Sequence, residues 1–374
     1  MKRLNKREFL KKSSLCMGGL FCVNLFNNEM SAENTRLWKW SREAIFYTVT
    51  PRGVKCGICP NECTLKQGET SVCNNRVCYD DKLYSIAYGN PCAVHIDPIE
   101  KKPLLHFLPR SPAFSIATAG CNFACLNCQN WEISQISPKK TTNFDLMPQQ
   151  VVEQCMENKC PSIAYTYSEP VSFYEYVFDT AKLARSKNIR NVFVSNGYIN
   201  DEPLKMLAPY LDAANINLKS FSESIYLKLN AGKLQPVLNT LKTLKDNKVW
   251  LEITNLIVPS WTDDMDMIRK MCDWLVLNGF EEYPLHFNRF FPLYKLTQLP
   301  ATPIATLLKA KEIAEQAGCK YVYVGNVPEI GTENTFCPKC KKMLVERRGF
   351  ALLSMDIEKG KCKFCGYGIN GVWE

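Results

Sequence analysis

Two patterns of hydrophobic and polar residues alternate along the chain from residue 113 to residue 325. Short apolar runs rich in β-branched and aromatic residues predict strands, and the longer stretches between them repeat their apolar residues at helical spacing. The predicted strands cover residues 113–119, 162–168, 191–196, 214–219, 249–258, 284–291 and 321–325. The predicted helices cover residues 148–158, 172–188, 201–211, 234–247, 263–279 and 302–318.

This strict alternation predicts an α/β fold. Strands that are joined by helices run parallel, because each connection must cross back over the sheet. Six or seven strand–helix units fall short of an eightfold barrel, so we expect a partial (β/α)6 barrel over residues 111–330. Functional side chains on such a sheet gather at the carboxyl ends of the strands.

The segments that flank this pattern differ from it. Residues 36–110 carry many turn formers and two short strand-like pieces at 44–49 and 83–88, which predicts a small cysteine-rich region. Residues 331–374 contain two Cys-x-x-Cys pairs and few large apolar groups, so a metal is expected to stabilise them. No apolar run approaches the roughly 18 residues of a membrane-spanning helix, so no transmembrane body is predicted.

The basic charge of the chain is confined to its two ends. The net charge is +9, of which residues 1–12 contribute +5 and residues 337–374 contribute +4, so the long middle nets to zero. A nucleic-acid-binding protein is expected to carry its basic patch on the main body. This distribution therefore argues against nucleic acid as the main partner.

The first 32 residues are predicted to form a leader. Its segment from Lys6 to Lys11 resembles a twin-arginine export signal, with Lys6 in place of the first arginine, and a modest apolar stretch follows. The resemblance implies export of the folded protein. The alternative is an uncleaved basic tail on a cytoplasmic protein.

Cysteine is abundant and clustered, with 19 residues in the chain against three histidines. Tight clusters suit metal sites better than disulfides. Cys121, Cys125 and Cys128 lie directly after the first predicted strand. Three thiolates in this spacing can bind three irons of a [4Fe-4S] cluster and leave the fourth iron open. The alternatives are a zinc site with a distant fourth ligand and buried structural cysteines.

Cys-x3-Cys-x2-Cys followed by a (β/α)6 pattern resembles the radical S-adenosylmethionine (radical SAM) superfamily. The resemblance implies a partial radical SAM barrel whose open iron binds S-adenosylmethionine. One electron from the reduced cluster then cleaves the cofactor and produces a 5′-deoxyadenosyl radical. The cofactors carry this chemistry, and the protein positions them and excludes water.

The ends of the later strands extend the resemblance. Glu169, in a segment similar to the family's Tyr-Asn-Glu-Pro form, is implied to bind the ammonium of S-adenosylmethionine, although it also suits a helix cap. Ser195 and Asn196 correspond to the ribose side, and Lys219 to a partner of the cofactor carboxylate. His286 and Arg289 lie where a substrate or the methionine carboxylate is expected, and a buried core role is the alternative for His286.

Further segments narrow the resemblance. Residues 95–109, 129–135 and 284–292, together with the closing cysteine pairs, resemble the AmmeMemoRadiSam-type proteins, which are relatives of the pyruvate formate-lyase activating enzymes. This implies hydrogen abstraction from an unidentified substrate, with a protein backbone as one option. It also implies a flavodoxin- or ferredoxin-type electron donor and a Memo-type protein partner. The rival functions are a glycyl-radical activase and a zinc-only binding module.

Two further cysteine sets lie on either side of the barrel pattern. Cys337, Cys340, Cys362 and Cys365 have the spacing of a zinc ribbon, with a rubredoxin-like iron as the rival metal. The N-terminal set is less regular and consists of Cys56, Cys59, Cys63 and Cys73. A second zinc site is the first interpretation of this set, an auxiliary iron–sulfur cluster is the second, and plain cysteines are the third.

Overall fold

The computed structural model describes residues 37–327 and 331–374, so the predicted leader at 1–32 lies outside the described residues. Its strands are β1 Arg42–Glu43, β2 Tyr47–Thr50, β3 Gly53–Cys56, β4 Thr64–Leu65, β5 Arg76–Tyr79, β6 Lys82–Ser85, β7 Ala93–Pro98, β8 Pro112–Ala117, β9 Ser162–Tyr165, β10 Arg190–Ser195, β11 Ala213–Asn217, β12 Trp250–Ile257, β13 Leu285–Arg289, β14 Val322–Gly325, β15 Thr335–Phe336, β16 Met343–Arg348, β17 Ala351–Met355, β18 Ile357–Glu358 and β19 Lys361–Cys362. Its α-helices are α1 Trp131–Ser134, α2 Pro148–Glu157, α3 Tyr174–Ser186, α4 Asp201–Leu207, α5 Glu223–Ile225, α6 Leu234–Asp246, α7 Met265–Leu277 and α8 Ile304–Ala317.

An eight-stranded sheet forms the centre of the fold. The seven strands predicted from residue 113 onward correspond to β8 to β14, which pair in sequence order and run parallel. The sequence pattern missed β7, which pairs antiparallel with β8 from Ala93 opposite Ala117 to Pro98 opposite Pro112. In the described part of the chain β7 and β14 are the two edges, so the sheet is mixed and the barrel is not closed.

The helices bury one apolar stripe each against this sheet. On α3 the buried residues Val177, Ala181 and Ala184 recur at spacings of four and three residues, which places them on one helix face. On α6 the residues Val237 and Leu241 repeat this arrangement. These side chains share one continuous core with the strands, so the predicted strand–helix alternation produces the expected layers.

The N-terminal region forms two small antiparallel sheets, of order β1-β6-β5 and β2-β3-β4. An ion pair ties this region to the barrel, because Arg76 Nη1 on β5 lies 2.5 Å from Glu175 Oε2 on α3. Both side chains are almost completely buried. The pair therefore joins two segments that are nearly 100 residues apart in the chain.

The C-terminal region packs directly on the barrel. Leu344, Val345 and Ile357 share a second hydrophobic cluster with Tyr321 and Tyr323. Tyr321 directly precedes β14, and Tyr323 lies within it. A short segment cannot usually bury enough apolar surface to fold alone. Here the barrel provides part of the missing surface.

No helix in the described parts of the chain is long and apolar enough to cross a membrane.

Candidate active site

A cavity of about 820 Å³ lies at the carboxyl ends of the parallel strands. Every strand from β8 to β14 contributes residues at or just beyond its end. Examples in chain order are Cys121, Glu169, Ser195, Lys219, Leu256 and Asn288. This is the position that the parallel topology predicts for function, because all the strand ends meet at one edge of the sheet.

The loop that carries Cys121, Cys125 and Cys128 forms one wall of this cavity. A tight segment before α6 holds the loop, since Ala124 N–H donates to the Asn230 carbonyl at 3.0 Å and Leu126 N–H donates to the Leu229 carbonyl at 2.9 Å. The Asn230 side chain also donates to Cys125 Sγ at 3.1 Å. These hydrogen bonds within the protein hold the cluster loop in place without a contribution from a metal.

The three loop thiols fit a metal cluster better than a single ion. Burial raises the pKa of each of them, so stable thiolates here need a compensating cation. Their sulfurs do not form a group within 4.8 Å of one another, because among the described residues that spacing is found only at the C-terminal cysteines. In a [4Fe-4S] cluster each thiolate binds a different iron, so wider spacing is expected.

Glu169 is a fully buried carboxylate at the end of the second parallel strand. Its Oε1 accepts hydrogen bonds from Ser195 Oγ at 2.7 Å and from Val171 N–H at 3.1 Å. Its Oε2 accepts from Asn196 N–H at 2.8 Å. Burial raises the pKa of Glu169 to about 7 despite these donors. The residue therefore caps the following helical turn and also presents a carboxylate whose charge a ligand cation would stabilise.

Asn196 connects this carboxylate to the cluster loop, and its side chain donates to Asn122 Oδ1 at 2.8 Å. Lys219 lies across the cavity, where its Nζ donates to Asn217 Oδ1 at 3.2 Å. The neutral Asn217 leaves the charge of Lys219 uncompensated at this contact. The site thus combines a buried carboxylate with a lysine, which suits a ligand that carries both an ammonium and a carboxylate.

The structure separates the two residues predicted on the sixth parallel strand. His286 is buried and lines the cavity. Its Nε2 lies within hydrogen-bond distance of Glu252 Oε2, at 2.7 Å. Arg289 is not among the described residues that line the cavity. Its Nε donates to the Thr302 carbonyl at 2.8 Å and its guanidinium lies over the ring of Phe291. A ligand in the cavity therefore meets His286 and not Arg289.

Sequence reasoning missed Glu252, the partner of His286. This buried carboxylate accepts the backbone N–H groups of Leu105 and His106 at 2.9 and 2.7 Å. Burial alone would raise its pKa, but the hydrogen bond from His286 and the other donors lower the pKa below its ordinary value. An isolated acidic residue inside an apolar strand was the available signal, since such a group is rarely buried without partners.

His106 extends this network to the C-terminal region. Its Nε2 lies 2.6 Å from Tyr323 Oη, and its Nδ1 lies 2.7 Å from the Asn370 carbonyl. Burial lowers the pKa of His106 to about 4, so the ring is neutral at physiological pH. Hydrogen bonds thus run from the strand floor of the cavity to the last residues of the chain.

The C-terminal cysteines form a closed group of four thiols. Cys337 Sγ lies 3.6 Å from Cys365 Sγ, and Cys340 Sγ lies 3.7 Å from Cys362 Sγ. All four sulfurs lie within 4.8 Å of one another. Four thiolates around one tetrahedral ion, each about 2.3 Å from the metal, stand about 3.8 Å apart. The described geometry therefore fits one metal ion with no open position.

The N-terminal cysteines are arranged differently. Cys56, Cys59, Cys63 and Cys73 line a second, smaller cavity, so the fold does bring the four together. No three of their sulfurs lie within 4.8 Å of one another, since the described residues contain one such group and it is C-terminal. The interpretation of this set as a zinc site therefore stays a prediction.

Comparisons with known proteins agree with this geometry. The family model of the radical SAM superfamily matches residues 115–275, which contain the cluster loop, Glu169 and Lys219. An uncharacterised protein of Methanocaldococcus jannaschii is 45% identical over 334 residues, which cover 88% of this chain and 99% of that protein. The pyruvate formate-lyase 1-activating enzyme of Escherichia coli is 24% identical over 220 residues, covering 54% of this chain and 89% of that enzyme.

A solved structure of Streptococcus suis SuiB bound to S-adenosylmethionine is also similar to this chain. Its TM-score is 0.44 at 13% sequence identity, and the match covers 61% of this chain and 53% of that chain.

Proposed function

Because the chain belongs to the radical SAM superfamily of enzymes, we propose that its cavity binds S-adenosylmethionine beside a [4Fe-4S] cluster and abstracts a hydrogen atom from a polypeptide substrate. The observation that carries this proposal is the placement of Glu169 and Lys219 in one cavity with the three loop thiols. When bound, the cluster and S-adenosylmethionine supply one-electron bond cleavage and radical chemistry. Residues of this chain bind and orient the ligand.

Glu169 is proposed to hold the ammonium of S-adenosylmethionine. A cation beside a carboxylate in a buried site forms a charge-assisted hydrogen bond, which is stronger than a neutral one. Ser195 Oγ and Asn196 N–H orient that carboxylate by hydrogen bonds of 2.7 and 2.8 Å. Lys219 is proposed to meet the carboxylate of the same ligand. The two charges then fix the ligand at both ends of its amino-acid part.

The entrance of the cavity supports a polypeptide substrate. Phe291 and Phe350 both line the cavity, and they are 44% and 53% exposed. Half-exposed aromatic rings bind side chains and backbone of a peptide by large apolar contacts. Phe350 lies next to β16 and β17 at the tip of a C-terminal hairpin, so the cysteine-rich end of the chain also shapes the entrance.

The AmmeMemoRadiSam subtype and its partners are the finer part of the proposal. Residues 95–109, 129–135 and 284–292 carry the motifs that support the subtype. A Memo-type protein is accordingly the first candidate substrate, and a flavodoxin- or ferredoxin-type protein is the first candidate donor. Activation of a glycyl-radical enzyme is the second candidate function, since the chain resembles a pyruvate formate-lyase activating enzyme over 220 residues.

We propose zinc as the metal of the C-terminal four-thiol site. Sulfur pairs at 3.6 and 3.7 Å match the tetrahedral spacing, and a site closed by four thiolates is structural in zinc proteins. A rubredoxin-like iron has the same ligands and is the alternative. Zinc analysis of the purified protein and of the Cys340→Ser variant distinguishes the two, because only a zinc-occupied site loses one equivalent of zinc in the variant.

The decisive experiment is anaerobic reduction of the purified protein with S-adenosylmethionine present. We expect 5′-deoxyadenosine to form and its yield to rise when a Memo-type protein is added. A rise only with a glycyl-radical enzyme would favour the activase instead. The Lys219→Met variant, which removes the charge and keeps the aliphatic stem, should weaken S-adenosylmethionine binding. Absence of 5′-deoxyadenosine from a fully iron-loaded protein would reject the proposal.

A further inference from the structure

Four thiols from the N-terminal region surround the smaller cavity. Cys56 and Cys73 are buried, and Cys59 and Cys63 are partly exposed. The first three thiols lie at the end of β3 and in the loop that joins β3 to β4, and Cys56 N–H donates to the Cys63 carbonyl at 2.9 Å across the base of this loop. Cys73 arrives from a later segment. The fold thus brings thiols that are up to 17 residues apart in the chain around the smaller cavity.

The spacing of these thiols separates them from the C-terminal site. One tetrahedral ion holds its sulfurs about 3.8 Å apart. The C-terminal thiols have this spacing, whereas no three N-terminal sulfurs of the described chain lie within 4.8 Å of one another. A four-iron cluster takes each thiolate on a separate iron, so its ligands stand farther apart than those of one ion. Neither the N-terminal thiols nor Cys121, Cys125 and Cys128 form a group spaced like the C-terminal one among the described residues, so neither set is already arranged around a single ion.

A buried cation lies against the same cavity. Arg76 lines it and is 1% exposed. Its Nη1 is paired with Glu175, but its Nη2 has no hydrogen-bond partner among the described residues. A buried donor without a partner costs free energy unless an acceptor is supplied. A thiolate-bound metal cluster provides sulfur acceptors and negative charge at this position.

This cavity adjoins the cluster loop. Asn122 follows Cys121 and lines the smaller cavity, and its carbonyl accepts a hydrogen bond of 2.8 Å from the Asn61 side chain. Gly120, on the other side of Cys121, touches the backbone of Cys73 so closely that a Cβ there would lie 2.4 Å from the Cys73 carbonyl oxygen. The segments that carry the two thiol sets are therefore packed against each other.

We propose that Cys56, Cys59, Cys63 and Cys73 bind an auxiliary [4Fe-4S] cluster, with Arg76 as a buried donor to it. All four irons have a protein thiolate in this arrangement, so the site is closed and binds no S-adenosylmethionine. The proposal concerns iron binding at the N-terminal thiols and does not depend on cleavage of S-adenosylmethionine at the larger cavity.

The test removes the loop cluster and asks whether iron remains. The triple variant C121A/C125A/C128A, purified anaerobically without added iron, should retain about four iron and four sulfide per chain. Adding Cys63→Ser to this variant should remove nearly all of that iron. The matched control is Cys92→Ser, a partly exposed thiol of the same region that is not among the described residues lining the smaller cavity. It should leave the iron content unchanged.

Two results would overturn the proposal. A triple variant that lacks iron and holds two equivalents of zinc would mean that the N-terminal thiols bind zinc. A triple variant with no metal beyond the C-terminal ion would mean that they are plain cysteines. If the triple variant does not fold, the iron content of the intact protein decides, because two clusters require about eight irons per chain and one cluster requires about four. Failure of S-adenosylmethionine cleavage would alter none of these counts.

Discussion

The cluster loop and the two C-terminal Cys-x-x-Cys pairs both present closely spaced cysteines, yet the fold arranges them in opposite ways. The loop thiols Cys121, Cys125 and Cys128 line a large cavity, and among the described residues they are not grouped around one point as the C-terminal thiols are. The C-terminal thiols form pairs at 3.6 and 3.7 Å and line no described part of that cavity. One set is open to a ligand and the other is closed.

This difference shows what makes a thiol site reactive. An open site needs neighbouring groups that hold a ligand, and here Glu169 and Lys219 lie in the same cavity as the loop. A closed site needs only four ligands at the right spacing, and its metal contributes to folding. The two sites are nevertheless joined, because Arg347 of the C-terminal region donates to the Leu105 carbonyl at 2.8 Å beneath the cavity.

The largest effect is expected from Cys125→Ala. This thiol is proposed to bind one iron, and no other described cysteine lines the cavity besides its two loop partners, so 5′-deoxyadenosine formation should be lost completely. The measurement is anaerobic product formation alongside iron analysis. Cys155→Ala, at a buried thiol on α2 that lies outside the cavity, should keep full activity. Activity in the Cys125 variant would mean that the loop is not the open site.

Cys340→Ser should remove the closed site and leave the open one. The variant is expected to lose one metal equivalent and most of the binding free energy of that ion, which is on the order of 10 kcal/mol for structural zinc. Residues 331–374 should become sensitive to limited proteolysis. The absorbance of the loop cluster should persist, and Cys319→Ser, at a buried barrel thiol, should keep the full metal count. Loss of both metals together would show that the two sites are one structural unit.

Arg347→Met tests the connection between the two regions. The guanidinium is buried and also donates to the Glu333 carbonyl and Thr335 Oγ1, both at 2.8 Å. Its removal should cost about 2–4 kcal/mol of the free energy that holds the C-terminal region on the barrel. Hydrogen exchange of residues 331–374 measures this cost. Arg348→Met, at the exposed neighbouring position, should change exchange little, and equal effects at both positions would disprove the role of Arg347.

Glu169→Gln should weaken S-adenosylmethionine binding and leave the loop cluster intact. Loss of one charge-assisted hydrogen bond costs about 1.5–3 kcal/mol, which is about ten- to a hundredfold in affinity. Calorimetric titration of the iron-loaded protein measures the change. Glutamine can still accept from Val171 N–H, so the helical turn should remain capped. Unchanged affinity would mean that Glu169 acts only as a cap.

The smallest effect concerns pH. Burial raises the pKa of Glu169 to about 7 in the free protein, and a bound ammonium would lower the pKa again. Below this pKa, binding requires Glu169 to lose its proton, so affinity for S-adenosylmethionine should rise about fivefold from pH 6 to pH 7, a range in which the α-amino group of the ligand is still mostly charged. Titrations across this range test the slope. Glu169→Gln should abolish it, and a flat profile in the unaltered protein would contradict this role for the carboxylate.

The strands and helices of the barrel were predictable because their signal is local. The seven parallel strands lie where the apolar runs predicted them, since period and length of such runs depend only on neighbouring residues. The edge strand β7 was missed because its Ala93–Pro98 segment lies among turn formers and pairs with a strand that follows a long connection. Its pairing is a property of the folded chain and not of its own six residues.

The site was predictable in its motifs but not in its outer contacts. Cys121 was predicted from its position after the first strand, and Glu169, Ser195 and Lys219 were implied by the resemblance to the radical SAM superfamily. All four line one cavity in the structure. Arg289 was expected with them, but its side chain contacts the Thr302 carbonyl and the ring of Phe291, because a residue at a strand end can turn its side chain to either face. The position of a residue along a strand specifies how close it lies to the carboxyl end of the sheet. The direction of its side chain depends on how the neighbouring residues pack.

The α/β alternation, the cysteine loop and the two Cys-x-x-Cys pairs can be identified from the sequence alone, because each depends on residues close together in the chain. The folded chain is needed to show which thiols stand near enough for one ion, since Cys337 and Cys365 are 28 residues apart. It alone placed Glu252 under His106, 146 residues away. Distances of this kind follow from how the whole core packs, and periodicity carries no information about them.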